Sequence, residues 1–351
     1  MEEKEKIRLG ISIGDLNGIG CEVVLRTFGD PRMLDFCTPV IFASTKTITQ
    51  QKNDLAIELE FNGVGEASQA IAGKVNIVNL WKEAPDLEYG KATPEGGSYA
   101  IKSLRAAVAA LKNGVVDVLV TAPINKNNIQ SEDFRFPGHT DFLVQELEGE
   151  GLMFMVADSL RVGLLTDHIA VKDVALAITP KLIRGKVATM ERSLKMDFGI
   201  RRPKIALLGI NPHSGDNGTI GEEDDKILKP TIQELFNKGT LAYGPYSADS
   251  FFGSKTHKQF DAVLAAYHDQ GLIPFKTLSF GKGVNYTAGL DRVRTSPDHG
   301  TAYEIAGKGQ ADESSFKEAV FMAIQVFRNR REYLELTSNP LQKQKTKRLS
   351  H

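Results

Sequence analysis

The chain of 351 residues contains only two cysteines, Cys21 and Cys37. Two thiols cannot staple a chain of this length, so a disulfide framework is excluded. A reducing, intracellular compartment, the cytoplasm, is expected. Net charge is almost absent: 43 basic against 44 acidic side chains leave −1. No bulk field draws the protein to nucleic acid or an anionic membrane, so any anion must be held by local donors. No apolar run approaches the roughly 18 residues of a membrane-spanning helix. The opening Met1-Glu-Glu-Lys-Glu-Lys6 lacks the basic-then-apolar order of a signal peptide. Common site signatures are missing too. Without GxGxxG or GxxxxGK(S/T), an ordinary Rossmann dehydrogenase and a P-loop nucleotidase are disfavoured. Without HExxH or Cys-x-x-Cys there is no compact metal motif.

What is present is an ordinary globular composition, 41% hydrophobic and 25% charged, long enough for two domains and a large core. Strand-like and helix-like segments alternate, which argues α/β with a parallel or mixed sheet. Strands are expected at 7–13, 39–43, 75–80, 115–120, 153–156, 161–165, 204–210 and 262–266. Helices are expected at 18–28, 95–113, 181–197, 222–238 and about 312–334. Ala100, Leu104, Val108 and Leu111 share one face of the 95–113 helix. Asp312 is a candidate N-cap for the last helix. The tail beyond Asn339, with Lys343, Lys345, Lys347 and Arg348, reads as a solvated end.

Chemistry gathers where apolar runs stop. The run 262–266 ends in a dense polar turn, Tyr267-His-Asp-Gln-Gly271, and then delivers Lys276. Asn211-Pro-His213-Ser-Gly follows the run 205–210, and His168 follows 162–165. Open α/β sheets place ligands beyond the carboxyl ends of their strands. Three neutral imidazoles suit a divalent transition metal with positions left open for substrate or water. The same spacing also allows three unrelated, hydrogen-bonded loop histidines. Gly14-Asp-Leu-Asn-Gly-Ile-Gly20 sits at a strand-to-helix turn, where glycines permit close backbone approach. Thr121-Ala-Pro-Ile-Asn-Lys126 and Phe136-Pro-Gly-His-Thr-Asp-Phe142 add polar loops. Gly289–Thr301 concentrates two arginines, two aspartates and a histidine in one irregular segment, and arginine holds phosphate or carboxylate through paired hydrogen bonds.

Taken in order, Gly-Asp-x-x-Gly-Ile-Gly, Thr-x-Pro-Ile-Asn-Lys, Gly-His-Thr, Asn-Pro-His-x-Gly, Tyr-His-Asp-Gln-Gly and Arg-Thr-Ser-x-Asp-His-Gly-Thr-Ala closely resemble the 4-hydroxythreonine-4-phosphate dehydrogenase family of pyridoxine biosynthesis. The likeness runs from about residue 8 to residue 330. It implies an isocitrate/isopropylmalate-dehydrogenase-like fold, not a Rossmann fold: two α/β domains with the active-site cleft between them. One domain would hold residues 1–125 and about 270–351, the other about 126–269, the latter dimerising. The resemblance further implies a homodimer with a shared site. His168, His213 and His268 would ligate one divalent metal per subunit, zinc before magnesium or cobalt, with one histidine crossing the dimer. His139, Thr140, Lys276, Asn285 and Arg294 would bind substrate. Asp298, His299, Gly300, Thr301, Ala302, Ala306 and Gly307 belong to the loop that would wrap NAD. The implied reaction is metal-dependent, NAD-linked oxidation of the C3 alcohol of 4-(phosphooxy)-L-threonine, then decarboxylation to 3-amino-2-oxopropyl phosphate. Lys276 would take part in it, and Asp249 and Asp269 would orient ligands or move a proton. A paralogous activity on threonate or erythronate 4-phosphate is the nearer alternative, and a metal-dependent phosphoester hydrolase the farther one. The chain departs from the family pattern at Leu16-Asn17, where Pro-Ala is usual. It departs again at Asp291, where proline is common, and at Asp167-His168-Ile169-Ala170, where Thr-His-x-Pro is usual.

Overall fold

The computed structural model describes residues 6–158, 160–279 and 281–339. The basic tail read from the sequence lies outside them. Apolar runs become strands: β1 (Ile7–Ser12), β2 (Cys37–Ala43), β3 (Asn62–Val64), β4 (Asn76–Asn79), β5 (Val118–Thr121), β6 (Gly149–Ala157), β7 (Leu160–Leu164), β8 (Ile205–Leu208), β9 (Ala242–Tyr246), β10 (Ala262–Ala265), β11 (Val284–Leu290) and β12 (Val293–Pro297). They form one sheet in the order β3-β4-β2-β1-β5-β12-β11-β6-β7-β10-β8-β9.

The two ends of the sheet are parallel wings. Three antiparallel pairings, β12 with β11, β11 with β6 and β6 with β7, join them. Three reversals make the wings run in opposite directions. Every residue of β1 except Arg8 and every residue of β2, β5, β8 and β10 is buried, as expected of strands covered on both faces. Helices supply the cover. Pro94–Lys112 packs on β1, β2 and β5; Pro180–Met196 on β6 and β11; and Ser314–Thr337 on β5, β11 and β12. Local chemistry starts two of them. Thr93 and Thr179 side-chain oxygens accept from the Gly96 and Leu182 amides at 3.1 and 3.2 Å, with proline at the first helical position each time.

Four sequence expectations change. The polar turn after β10 is the first turn of a helix, His268–Leu278. The segment 289–301 is not irregular: it contains β12, hidden in the sequence because an arginine sits mid-strand. Residues 222–238 divide into a π turn, Asp224–Leu228, and a helix, Lys229–Asn237. Asp312 is not the cap residue of the last helix, which begins at Ser314. Its carboxylate still accepts the Ser314 amide at 2.8 Å. Both cysteines are free and buried, and burial pushes each thiol up to about 12. No described helix is long and apolar enough to cross a membrane.

Candidate active site

Strand register puts a polar patch on one face of the sheet centre. Thr121 ends β5, Asn285 pairs with Ser296 across β11 and β12, and Arg294 pairs with Leu119 of β5. Residues two apart on a strand share a face, so Arg294 and Ser296 look the same way, as do Asn285 and Thr287. Above this patch lies a cavity of about 260 Å³. Its walls come from Pro123, Ile124 and Lys126, from Gly138–Asp141 at the start of the helix His139–Glu146, from His168 beyond β7, from His268, Leu272 and Lys276 of the helix after β10, and from Asp298–Gly300.

Arg294 is the most telling group. It is 1% exposed, the largest wholly buried side chain among the described residues. Its Nε and Nη2 donate to Thr121 Oγ1 at 3.1 and 2.6 Å, and Nη1 donates to Thr287 Oγ1 at 3.2 Å. No described carboxylate pairs with it, and burial pulls its pKa down to about 9. A guanidinium has five N–H groups, so two remain for a ligand in the cavity it lines. A buried cation without a counter-ion is costly; a bound anion removes the cost. Asp291 and Asp298 do not brace it. Asp291 lies 3.5 Å from Arg292, and Asp298 lies 3.3 Å from Lys276.

Neighbouring orphans agree. Among the described residues, His139 Nε2, Asn285 Oδ1 and His299 Nε2 are buried without a hydrogen-bond partner, and all three residues line the cavity. Burial, then Arg294 and Lys126, hold His139 well below the usual histidine range, so its ring is neutral. Lys276 and Thr140 line the same cavity.

His168 and His268 face each other with ring centroids 6.0 Å apart. Asp269 Oδ1 is 2.7 Å from His268 Nδ1, which orients the ring and leaves Nε2 for a ligand. Burial and Lys126 lower the pKa of His168, favouring the neutral form a metal needs. His213 is elsewhere. It lies in an adjoining recess of about 250 Å³ with Asp249, Ser247, Tyr267 and Gln270. There the backbone runs left-handed at His213, Ser214, Asp216 and Asn217, pinned by Asp224, whose oxygens accept the Ile210 and Asn211 amides. Asp249 accepts from Ser247 Oγ at 2.6 Å, which lowers its pKa. Within one chain, then, two of the three histidines meet, and no described cluster of three or more His, Cys, Asp or Glu side chains could hold a metal.

Asp298, His299 and Gly300 form the cavity rim. Thr301 to Gly307 continue over the first helix, where Thr301 O accepts the Ile19 amide at 3.0 Å. Asp15 anchors this run: its Oδ2 accepts from Tyr303 Oη at 2.9 Å and from Asn128 Nδ2 at 2.6 Å. Gly14 beside it has φ +70, and a Cβ there would stand 2.2 Å from Pro123 O. The Leu16-Asn17 departure has a structural use. Leu16 is buried, and Asn17 donates to Thr93 Oγ1 and accepts the Glu88 amide, bonds an alanine side chain cannot make. Thr121, Lys126, Asp141 and Ser296 carry no role in the sequence reading, although all four lie inside motifs singled out there. Lys126 Nζ is 3.4 Å from His168 Nε2.

Fold and site together define an α/β protein with a central cavity built for a small anionic ligand. The match to the model of the pyridoxal phosphate biosynthetic protein PdxA spans residues 35–323, and the chain belongs to that family. It is 48% identical over 345 residues to a 4-hydroxythreonine-4-phosphate dehydrogenase of Bacteroides thetaiotaomicron, covering 97% of this chain and 94% of that one. It is 35% identical over 324 residues to a protein of Oceanobacillus iheyensis provisionally named D-threonate 4-phosphate dehydrogenase, covering 91% and 97%. A crystal structure of a 4-hydroxythreonine-4-phosphate dehydrogenase from Burkholderia phymatum superposes with a TM-score of 0.75 at 34% identity, covering 92% and 98%.

Proposed function

We propose that this protein oxidises the C3 alcohol of 4-(phosphooxy)-L-threonine with NAD and a divalent metal, and that loss of CO2 then gives 3-amino-2-oxopropyl phosphate. The observation that carries the reading is Arg294, a buried cation without a carboxylate, opening into a cavity with Lys126 and Lys276. That set answers a ligand bearing phosphate and carboxylate. The relatives named for this dehydrogenase supply the substrate class.

When bound, the metal and NAD supply the Lewis-acid and hydride-accepting chemistry that side chains lack. The chain's own residues bind and orient. Arg294, Asn285, His139, Thr140 and Lys276 hold the anionic groups, and bonds to neutral His139 fix direction without adding charge. Asp298 keeps Lys276 in place at 3.3 Å. His168 and His268 would give the metal two nitrogens, with Asp269 orienting one ring. His213, set apart in its recess with Asp249, would complete the set from a second copy, so the working unit would be a homodimer. Residues 298–307 would cradle NAD. The two wings of the sheet, divided near residues 125 and 270, would act as the two domains flanking the cleft.

Activity on threonate or erythronate 4-phosphate is the second reading, favoured by the Oceanobacillus relative's name. The deciding assay follows NADH absorbance with zinc-loaded protein and each phosphorylated compound. Faster NADH formation with the amino acid, lost on chelation, is expected. Release of inorganic phosphate without NADH would overturn the proposal in favour of a hydrolase.

A further inference from the structure

The two candidate substrates differ at C2, which carries an ammonium in the amino acid and a hydroxyl in the sugar acid. The inference drawn from that difference rests on the function proposed above. The cavity lining contains three cations, Lys126, Lys276 and Arg294, and two carboxylates, Asp141 and Asp298. Asp298 is engaged by Lys276 at 3.3 Å. Asp141 has no ion pair or side-chain hydrogen bond among the described residues, although it lines the cavity. It is the third residue of the helix His139–Glu146, so the helix that presents His139 and Thr140 presents this carboxylate too. C2 is bonded to C3, and the proposed function puts the C3 oxygen beside His168 and His268. His168 and His268 line the same cavity as Asp141, so the C2 substituent lies in the space that the unpaired carboxylate borders. A cationic wall with one free carboxylate suits an anionic ligand that bears one ammonium; a hydroxyl there gains little from it.

We propose that Asp141 is a specificity residue that pairs with the C2 ammonium and selects the amino acid phosphate over the hydroxy acid phosphate. The competing role is purely structural: an acidic residue in a first helical turn steadies the helix dipole.

The test uses full-length, zinc-loaded wild type, Asp141→Asn and Asp141→Glu. For each, kcat/KM is measured with 4-phosphooxy-L-threonine and with D-threonate 4-phosphate, and where a compound binds without turning over, its Kd by calorimetry replaces it. In Asp141→Asn, preference for the amino acid should fall at least tenfold, nearly all of it lost on the amino acid, and Asp141→Glu should restore part of it. An unchanged preference, with both compounds affected equally or not at all, overturns the inference and leaves the structural role. The wild-type arm tests the function separately. If neither compound yields NADH, the proposed function falls whatever Asp141 does. If wild type prefers the amino acid and Asp141→Asn keeps that preference, only the Asp141 inference falls.

Discussion

Arg294 brings a charge into the protein interior and leaves two N–H groups facing the cavity. At neutral pH both folded and unfolded chains keep that proton, since even the lowered value of about 9 lies above it. The desolvation cost is therefore present in full until an anion arrives. Arg294→Met removes charge and donors at similar length. It should melt no lower than wild type, and inorganic phosphate, which should raise the wild-type Tm, should leave the variant's Tm unchanged. kcat/KM should fall by about 2–5 kcal/mol, the scale for truncating one partner of a buried charge pair. A phosphate-induced rise in the variant would show that the anion sits elsewhere. His139 gives a pH signature. Its folded value lies well below the unfolded one, so below about pH 6.5 the unfolded chain gains a proton the folded chain refuses. Stability from this residue is full above that pH and is lost as pH falls. Urea midpoints at pH 7.5 and 5 should differ less in His139→Gln than in wild type. At this scale the sequence was informative where motifs were dense. It did not expose Thr121 or Thr287, because a threonine that ends or crosses a strand looks like any β-former until its arginine partner, 173 or 7 residues away, is placed against it.

Elements follow the same division. Uniformly apolar strands such as β8 and β10 were readable because both of their faces are covered. β9, whose sequence is Ala-Tyr-Gly-Pro-Tyr, and β12, with Arg294 at its second position, were not, because glycine, proline and a mid-strand charge contradict strand propensity. The helix His268–Leu278 was hidden by a polar first turn and by Pro274 inside it. Gln270 secures its start, accepting the Ala266 amide and donating to Gly209 O, both at 2.7 Å. Within the β11–β12 hairpin, β11 shifts register against β6 at Gly289, where φ is +86 and a Cβ would lie 2.2 Å from Glu150 O. Gly289→Ala should cost about 1–3 kcal/mol for the backbone alone, seen as a lower urea midpoint. Because the same hairpin carries Asn285 and Arg294, KM for substrate should rise as well. A variant with wild-type stability and KM would mean that the hairpin tolerates a shifted register.

For the whole molecule, the position of His213 decides how the proposed metal set would close. His168 and Lys276 line one cavity of one chain, whereas His213 occupies the neighbouring recess. Inactive His168→Ala mixed with inactive His213→Ala should regain activity if two copies share a site, because each hybrid dimer then holds one intact set. Statistical mixing gives about one quarter of wild-type activity for a two-fold dimer. No recovery, with subunit exchange confirmed by mass, would mean that one chain completes its own site. The α/β class was legible from the alternation of elements, and the family from six ordered motifs. That residues 168, 268, 285 and 294 share one site was legible through the resemblance alone, and the place of Thr121 among them was not, since tertiary proximity across such spans leaves no local mark in the chain.

The order of the strands in space also sets an order in time. β5 and β6 are complete by residue 157, yet the two strands between them are made only from residues 284–297. A ribosome therefore releases the strands of two half-sheets, each with an unpaired inner edge, before the hairpin that closes them emerges. Such edges invite pairing with other chains. A chain stopped after Lys282 should bind an apolar-surface dye strongly and pellet in the absence of chaperones, while the full chain stays in solution. A truncated chain that unfolds cooperatively and remains monomeric would show that each half-sheet closes without its keystone.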